Sequence, residues 1–487
     1  MNRPRALALP APPARLVAWW LAIAAGAIVI LAALVAGQPV FLLWGLLAVA
    51  VLGGLAVLAA REGTAGWLPA AVLLVAALLP TRVFDLWQPR ALGRSFDIVV
   101  VVALACVGLA WLTRMLVQGS AKTNRLAMPQ VALLLLAFGG VAIHAGDYGD
   151  LDPVCRGLIR MFVPLLGFWI VATSRLESRH TIMLVRVLLV VGALVAFLGL
   201  RWPLQLWRNP HASFLFGAQG VWAVRTITPI GGPGLSALAL GMMLPVAIAM
   251  AMLDSKRLRV LWVACAFAML AGVAMSVNRS GTLGCASAVM LFAWLNRRLI
   301  RRRPALVLAS LGIAAVMVAG LVVVYRRATN FARLMHVVDM ESPSDRLRWS
   351  SARLAFEVGA RRLVFGSGVG RFYPRDWSTR PLMIEGMATA RDPHCLYLEG
   401  FAEMGIPGLL VVIWLLGKPL YDFTSRRRNA GARQAALLAG FAGSALAMMM
   451  YSATSCAMFG QLRVATVAWW IIGLGYQFWW SRPAASA

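Results

Sequence analysis

Acidic residues are scarce in this chain, with 18 Asp and Glu among 487 residues against 46 Lys and Arg. Charged residues of both signs make up 13% of it, roughly half the share usual in a soluble globular protein. Lysine is nearly absent, with Lys122, Lys256 and Lys418 the three present, so the positive charge is arginine. The six cysteines form no Cys-x-x-Cys pair, which excludes zinc ribbons and dithiol redox motifs. His144, His180, His211, His336 and His394 have no metal-ligand spacing. The run GSGVG at Gly366–Gly370 is not followed by Lys-Ser/Thr, so it is a tight turn rather than a nucleotide loop. A net charge of +28 invites a nucleic-acid reading, but the arginines sit in short clusters between apolar blocks. They are better read as cytoplasmic anchors facing anionic lipid.

The chain instead has apolar length. Hydrophobic residues make up 61% of it and mean hydropathy is +0.78. The block Leu16–Ala36 is long enough to cross a hydrocarbon core of about 30 Å as a helix. Backbone groups in lipid must pair internally, so such blocks are helical. Hydropathy predicts an all-α polytopic membrane protein with about fourteen spans (12–14): 16–36, 40–60, 66–80, 98–113, 127–145, 161–173, 182–200, 232–253, 260–277, 281–296, 305–325, 395–416, 434–456 and 464–480. Trp19, Trp67, Trp111, Trp294 and Trp479 mark span ends, as an interfacial belt does. The basic N-terminus runs into the first span without a small-residue cleavage site and reads as an uncleaved signal anchor. The arginine clusters around Arg297–Arg303 and before Arg428 go to the cytoplasm by the positive-inside rule. Alternation then puts both termini inside and the long segment 326–394 on the periplasmic side of an inner membrane.

Four regions follow: N-terminal spans 1–221, spans with arginine-bearing outer ends 222–325, the periplasmic loop 326–394, and C-terminal spans 395–487. In the loop, SPSD at Ser342–Asp345 has the spacing of a capping box, with Pro343 at the first helical position. Leu347, Leu354 and Val358 then recur at helical spacing, with Arg346, Arg348, Arg353, Arg361 and Arg362 on other faces. This predicts an amphipathic helix at the outer membrane surface, binding lipid head groups or covering a site beneath it. Cys155 and Cys395 fall on the same side, where a disulfide between them is conceivable. Asp147, Asp150 and Asp152 read as a solvated outer loop.

The segment from Arg391 to Gly417 carries most of the chemistry. His394 stands where the loop re-enters the membrane, and Tyr397, Glu399 and Glu403 follow in the first turns of the span. For Glu399 a dipole-stabilising place at a helix start is an adequate reading. Glu403, about two turns deeper, asks for a partner or a function.

His394, followed by Gly405 and Gly408 at the end of a large outer loop, resembles the O-antigen ligase and polymerase superfamily. VNRSGTLG at Val277–Gly284, the Arg225 segment Val224–Gly241, and DRLRWSSARLAF with FGSGVGRF between Asp345 and Phe372 resemble family segments in the same order. The family has Asn, Ser or Gln after the histidine, and here Cys395 stands there. The resemblance implies a glycosyltransferase that takes a glycan from undecaprenyl diphosphate without a nucleotide sugar, metal or other cofactor. Arg225 and Arg279 would hold the diphosphate, and His394 would activate or orient the acceptor hydroxyl. Arg346, Arg348 and Glu403 would shape the donor pocket, with Arg371, Arg391 and Tyr397 completing the substrate-binding set. O-antigen ligase, acting on lipid A–core, is the first expectation, with an O-antigen or exopolysaccharide polymerase and a protein O-glycosyltransferase as alternatives. A polysaccharide transporter or flippase is the rival from another class. Against it, the ionisable residues concentrate at the outer face and no repeat is visible.

Overall fold

The computed structural model describes residues 127–144, 152–173, 178–208, 232–276, 278–298, 343–370, 383–384, 387–388, 393–456 and 461–480. These residues form α1 (Ala127–Ile143), α2 (Asp152–Thr173), α3 (Ser178–Arg208), α4 (Pro233–Leu253), α5 (Lys256–Met275), α6 (Arg279–Leu295), α7 (Pro343–Arg361), α8 (Leu396–Arg427), α9 (Ala432–Ser452) and α10 (Leu462–Trp480). A two-residue antiparallel pair, β1 (Met383–Ile384) with β2 (Met387–Ala388), lies in the long loop. Five of the helices, α3, α4, α5, α8 and α9, contain stretches long and apolar enough to cross a membrane. The spans expected at 16–36, 40–60, 66–80, 98–113 and 305–325 lie outside the described residues. The short expected span 161–173 is the end of a longer helix, since α2 begins at Asp152. Its 22 residues reach about 33 Å, enough to cross.

α9 is the centre of the bundle and packs against α4, α6, α8 and α10. It does so with small residues, the usual means of close packing where lipid supplies no hydrophobic drive between helices. A Cβ on Gly443 would lie 2.8 Å from the Ala288 carbonyl oxygen, and one on Gly440 would lie 3.1 Å from that of Pro245. Ser444 Oγ donates to the Met242 carbonyl at 2.5 Å.

The two ends of the bundle differ in chemistry. At one end Asp254, 7% exposed, accepts from Arg186 at 2.9 and 3.0 Å and from Trp262 Nε1 at 2.8 Å. Arg433 adds a longer contact of 3.4 Å, so α3, α5 and α9 are tied to the end of α4. Arg186, an oddity within a span by sequence, has its counter-charge here. Arg427 donates to the Leu295 carbonyl at the end of α6, which would otherwise lack a partner. At the opposite end α4 and α6 begin side by side, with Gly234 against Asn278 and Tyr451.

α8 departs from expectation. The sequence implied one straight span over 395–416, but the helix breaks at Gly405, where φ is 69° and ψ is −160°. Pro407 has no N–H to give to the Glu403 carbonyl, and the turn at Gly405 redirects the N–H of Ile406. Three groups of the helix ladder are therefore orphaned, and the turn Leu363–Gly370 takes all of them. Ile406 N–H donates to Leu363 O at 2.7 Å, Ser367 N–H donates to Ala402 O at 2.8 Å, and Gly368 N–H donates to Glu403 O at 3.0 Å. The first half, Leu396–Met404, folds back so that the Gly400 carbonyl lies 2.4 Å from where a Cβ on Gly408 would be. The second half, Ile406–Arg427, is itself about 33 Å long and can cross alone. Glu399 and Glu403 thus belong to a short helix before the span.

α7 forms where its capping residues predicted, but a different face is buried. Ser351, Ala355 and Gly359 point inward, with Gly359 against Phe401. Leu354 and Val358 of the expected apolar stripe are half-buried, whereas the small residues are fully buried and let α7 lie close to the first half of α8. Trp349, Phe356, Leu363 and Val364 face outward at 60%, 57%, 49% and 61% exposure. The outward apolar surface continues on α8 through Ile406, Leu410, Ile413 and Trp414.

The backbone contact at the break has no room for a side chain. A Cβ on Gly405 would sit 2.3 Å from Leu363 O, and one on Gly366, at φ 61°, would sit 2.3 Å from the Glu403 carbonyl carbon. Gly405→Ala and Gly366→Ala are each expected to destabilise the protein by about 3 kcal/mol or more. Gly417→Ala, with nothing within 4 Å, should change little. Thermal unfolding of the three variants in detergent is the measurement; a Gly405→Ala protein melting with the wild type would refute this account of the break.

Candidate functional site

The end of the bundle at which α4, α6 and α8 begin holds those expected site residues that lie within the described part. α6 begins with Asn278 as its N-cap, and its side chain accepts from Gly281 N–H at 2.7 Å. That capping satisfies one donor of the first turn. Arg279 is the next residue, half-buried, at the positive end of the helix dipole. A guanidinium at a helix N-terminus suits anionic oxygen.

His394 lies one residue before the N-cap of α8, Cys395. Its φ of 49° places it in the left-handed region, the one non-glycine residue there among the described residues. Such a backbone costs about 1 kcal/mol or more and persists where its surroundings fix it. Tyr397, a turn further, donates its hydroxyl to the Met449 carbonyl at 3.1 Å. That bond ties the first half of α8 to the last turns of α9. Ala447, in those turns, packs against Gly284 of α6, whose Cβ would lie 3.1 Å from the Ala447 oxygen. Arg279 and His394 are therefore carried by two helix starts braced on the same end of α9.

Glu403 is 2% exposed, and its Oε1 accepts from Gly370 N–H at 2.9 Å. Glu399 is 3% exposed in the same short helix. Arg348 is exposed on α7, and Arg346 lies in the first turn of that helix. Arg225, Arg371 and Arg391 lie outside the described residues, as does the side chain of Arg346. Cys395 is in no disulfide, so the conceivable pairing with Cys155 is not formed. Among the described residues, no three His, Cys, Asp or Glu side chains converge as metal ligands would.

The structure adds residues that the sequence did not mark. Ser367 Oγ donates to Ala402 O at 3.0 Å, beside its own backbone bond to the same carbonyl. His144, at the end of α1, lies 3.2 Å through Nε2 from the Gly366 carbonyl, so that nitrogen carries the proton it donates. A Cβ on Gly157 of α2 would touch Val369 at 2.9 Å. The glycine turn is thus held by α1, α2 and α8 together. Pro407, which cannot donate, was the sequence signal that could have announced the break and hence the turn's partner.

No match to the chain was found among the curated proteins. Residues 264–413 match the family model described as O-antigen ligase. The matched segment, about a third of the chain, runs from α5 to the span half of α8 and includes Arg279, α7, the glycine turn, His394 and Glu403. That segment is similar to the O-antigen ligase family, whose members are glycosyltransferase-like enzymes.

Proposed function

We propose that this protein transfers a glycan from undecaprenyl diphosphate to an acceptor hydroxyl at the periplasmic face of the inner membrane. The observation that carries the reading is the gathering of helix starts that bear Arg279 and His394 at one end of the bundle. The acceptor oxygen attacks the anomeric carbon, and its proton passes to His394. The bond from that carbon to the phosphate oxygen breaks, and the diphosphate leaves with the electron pair. Negative charge grows on the leaving phosphate, which fixed cationic donors stabilise. Arg279 and the first N–H groups of α6 serve there, with Arg225 as their partner. The neutral imidazole of His394 would accept that proton as a general base. Arg346, Arg348, Arg371, Arg391 and Tyr397 would bind the glycan and lipid parts of the substrates.

Ligation onto lipid A–core is the first choice of acceptor, following the ligase description of the matched family. Deletion followed by lipopolysaccharide analysis separates the possibilities. Loss of all polymer from core indicates the ligase, whereas core bearing a single repeat indicates a polymerase.

Reconstituted transfer from a lipid-linked glycan tests the residues. Arg279→Ala is expected to lose two or more decades in rate, because a charge-assisted contact is worth about 3 kcal/mol in a transition state. Arg279→Lys keeps the charge but not the fork and should recover only part. His394→Ala and His394→Gln should both be nearly inactive, and wild-type turnover should fall as pH drops through the histidine range. An active His394→Gln with a flat wild-type profile from pH 5 to 8 would remove the base role.

Sidedness has its own test. A cysteine at position 360, on α7, should react with an impermeant maleimide only from the periplasm, and one at 431, before α9, only from the cytoplasm. Labelling of both positions from one side would put the reading on the wrong face of the membrane.

A further inference from the structure

Glu403 invites a catalytic reading: it is a buried carboxylate in the short helix that His394 leads into. The geometry points to a different role. We infer that Glu403 is a positioning residue whose Oε1 holds the glycine turn through Gly370 N–H, and that this clamp fixes His394. The inference rests on the proposed role of His394 for its activity readout, and on the backbone geometry alone for its structural one.

Glu403 lies two residues before the break, at 2% exposure. Both its ends engage the turn, the side chain with Gly370 N–H at 2.9 Å and the backbone carbonyl with Gly368 N–H at 3.0 Å. Ala402, just before it, receives two bonds from Ser367. The first half of α8 has lost its hydrogen-bonded continuity with the span, because no ladder bond runs from Ile406 to Ala402 or from Pro407 to Glu403. What replaces those bonds is the turn. A nine-residue helix cannot hold its own position, since isolated helices of under about 12 residues are marginal. Its place is set by the turn on one side, by Phe401 against Phe356 and Gly359 of α7 on another, and by Tyr397 on α9 at its start. His394 continues from that start in a left-handed conformation that the surroundings must enforce. Loosening the turn would let that conformation relax.

The clamp requires an acceptor oxygen at Glu403. It requires neither a proton transfer nor a negative charge in contact with substrate. Glutamine presents the same carbonyl oxygen to Gly370 N–H, whereas alanine presents nothing.

Three variants in proteoliposomes decide the matter. With Glu403→Gln, turnover should stay within about fivefold of wild type and the pH profile should overlay it, a rescue by the conservative substitution. With Glu403→Ala, turnover should fall thirtyfold or more, with the KM for the lipid-linked donor within about twofold. In parallel, the pair Ser367→Cys with Ala402→Cys is oxidised in each background, and the linked peptide is quantified by mass spectrometry. The yield should be high with Glu or Gln at 403 and should drop with Ala. This arm needs no activity, so it judges the clamp even where transfer from the diphosphate donor fails in the wild type. A Glu403→Gln protein as inactive as Glu403→Ala with undiminished cross-linking would overturn the inference and make the carboxylate a chemical participant. A tenfold rise in donor KM would overturn it as well and put Glu403 in the donor pocket.

Discussion

Pro407 cannot donate a hydrogen bond, and Gly405 two residues earlier can turn the chain where no other residue fits. In a bilayer the carbonyls freed by such a break would cost several kcal/mol each if left bare. The rest of this end of the bundle follows from how they are covered. The glycine turn must reach them, so residues 363–370 must pass within backbone contact of α8. α7 must lie against the first half of the broken helix, so its inner face is Ser351, Ala355 and Gly359 rather than leucine. The short helix so enclosed then leads back to His394.

Much of the bundle was legible in the sequence because hydropathy and charge report on lipid directly. α4, α6 and α10 begin and end within about two residues of their expected bounds, and α5 and α9 within four. α7 was announced by Pro343 and its capping residues. What was not legible depends on contacts between distant segments. The sequence cannot say which side of α7 meets protein, because an apolar stripe in a membrane protein is as free to meet lipid, and Trp349 and Phe356 do face outward. Nor can hydropathy see a break in α8, since the apolar residues of Leu396–Met404 run on into Ile406–Leu416 without a polar gap at Gly405. Glu403 was read as a carboxylate deep in a span, and it lies in the short helix ahead of it, bound to Gly370.

The two charged ends obey different rules. At the Asp254 end, charge is matched by charge, with Arg186 and Arg433 around one carboxylate and Trp262 adding a neutral donor. At the opposite end Arg279 is placed beside an N-cap, where the helix dipole adds to the positive field rather than offsetting it.

The turn that splints α8 comes before it in the chain, separated from Gly405 by 35 residues at Gly370. Synthesis runs in that order, so the splint has been made when the ribosome delivers the helix it must mend. Proline and glycine at 405–408 would trap a helix that had to find its partners late. Here the two loose carbonyls of Ala402 and Glu403 meet donors already waiting on the nascent protein, and the order of translation becomes part of how the break is tolerated.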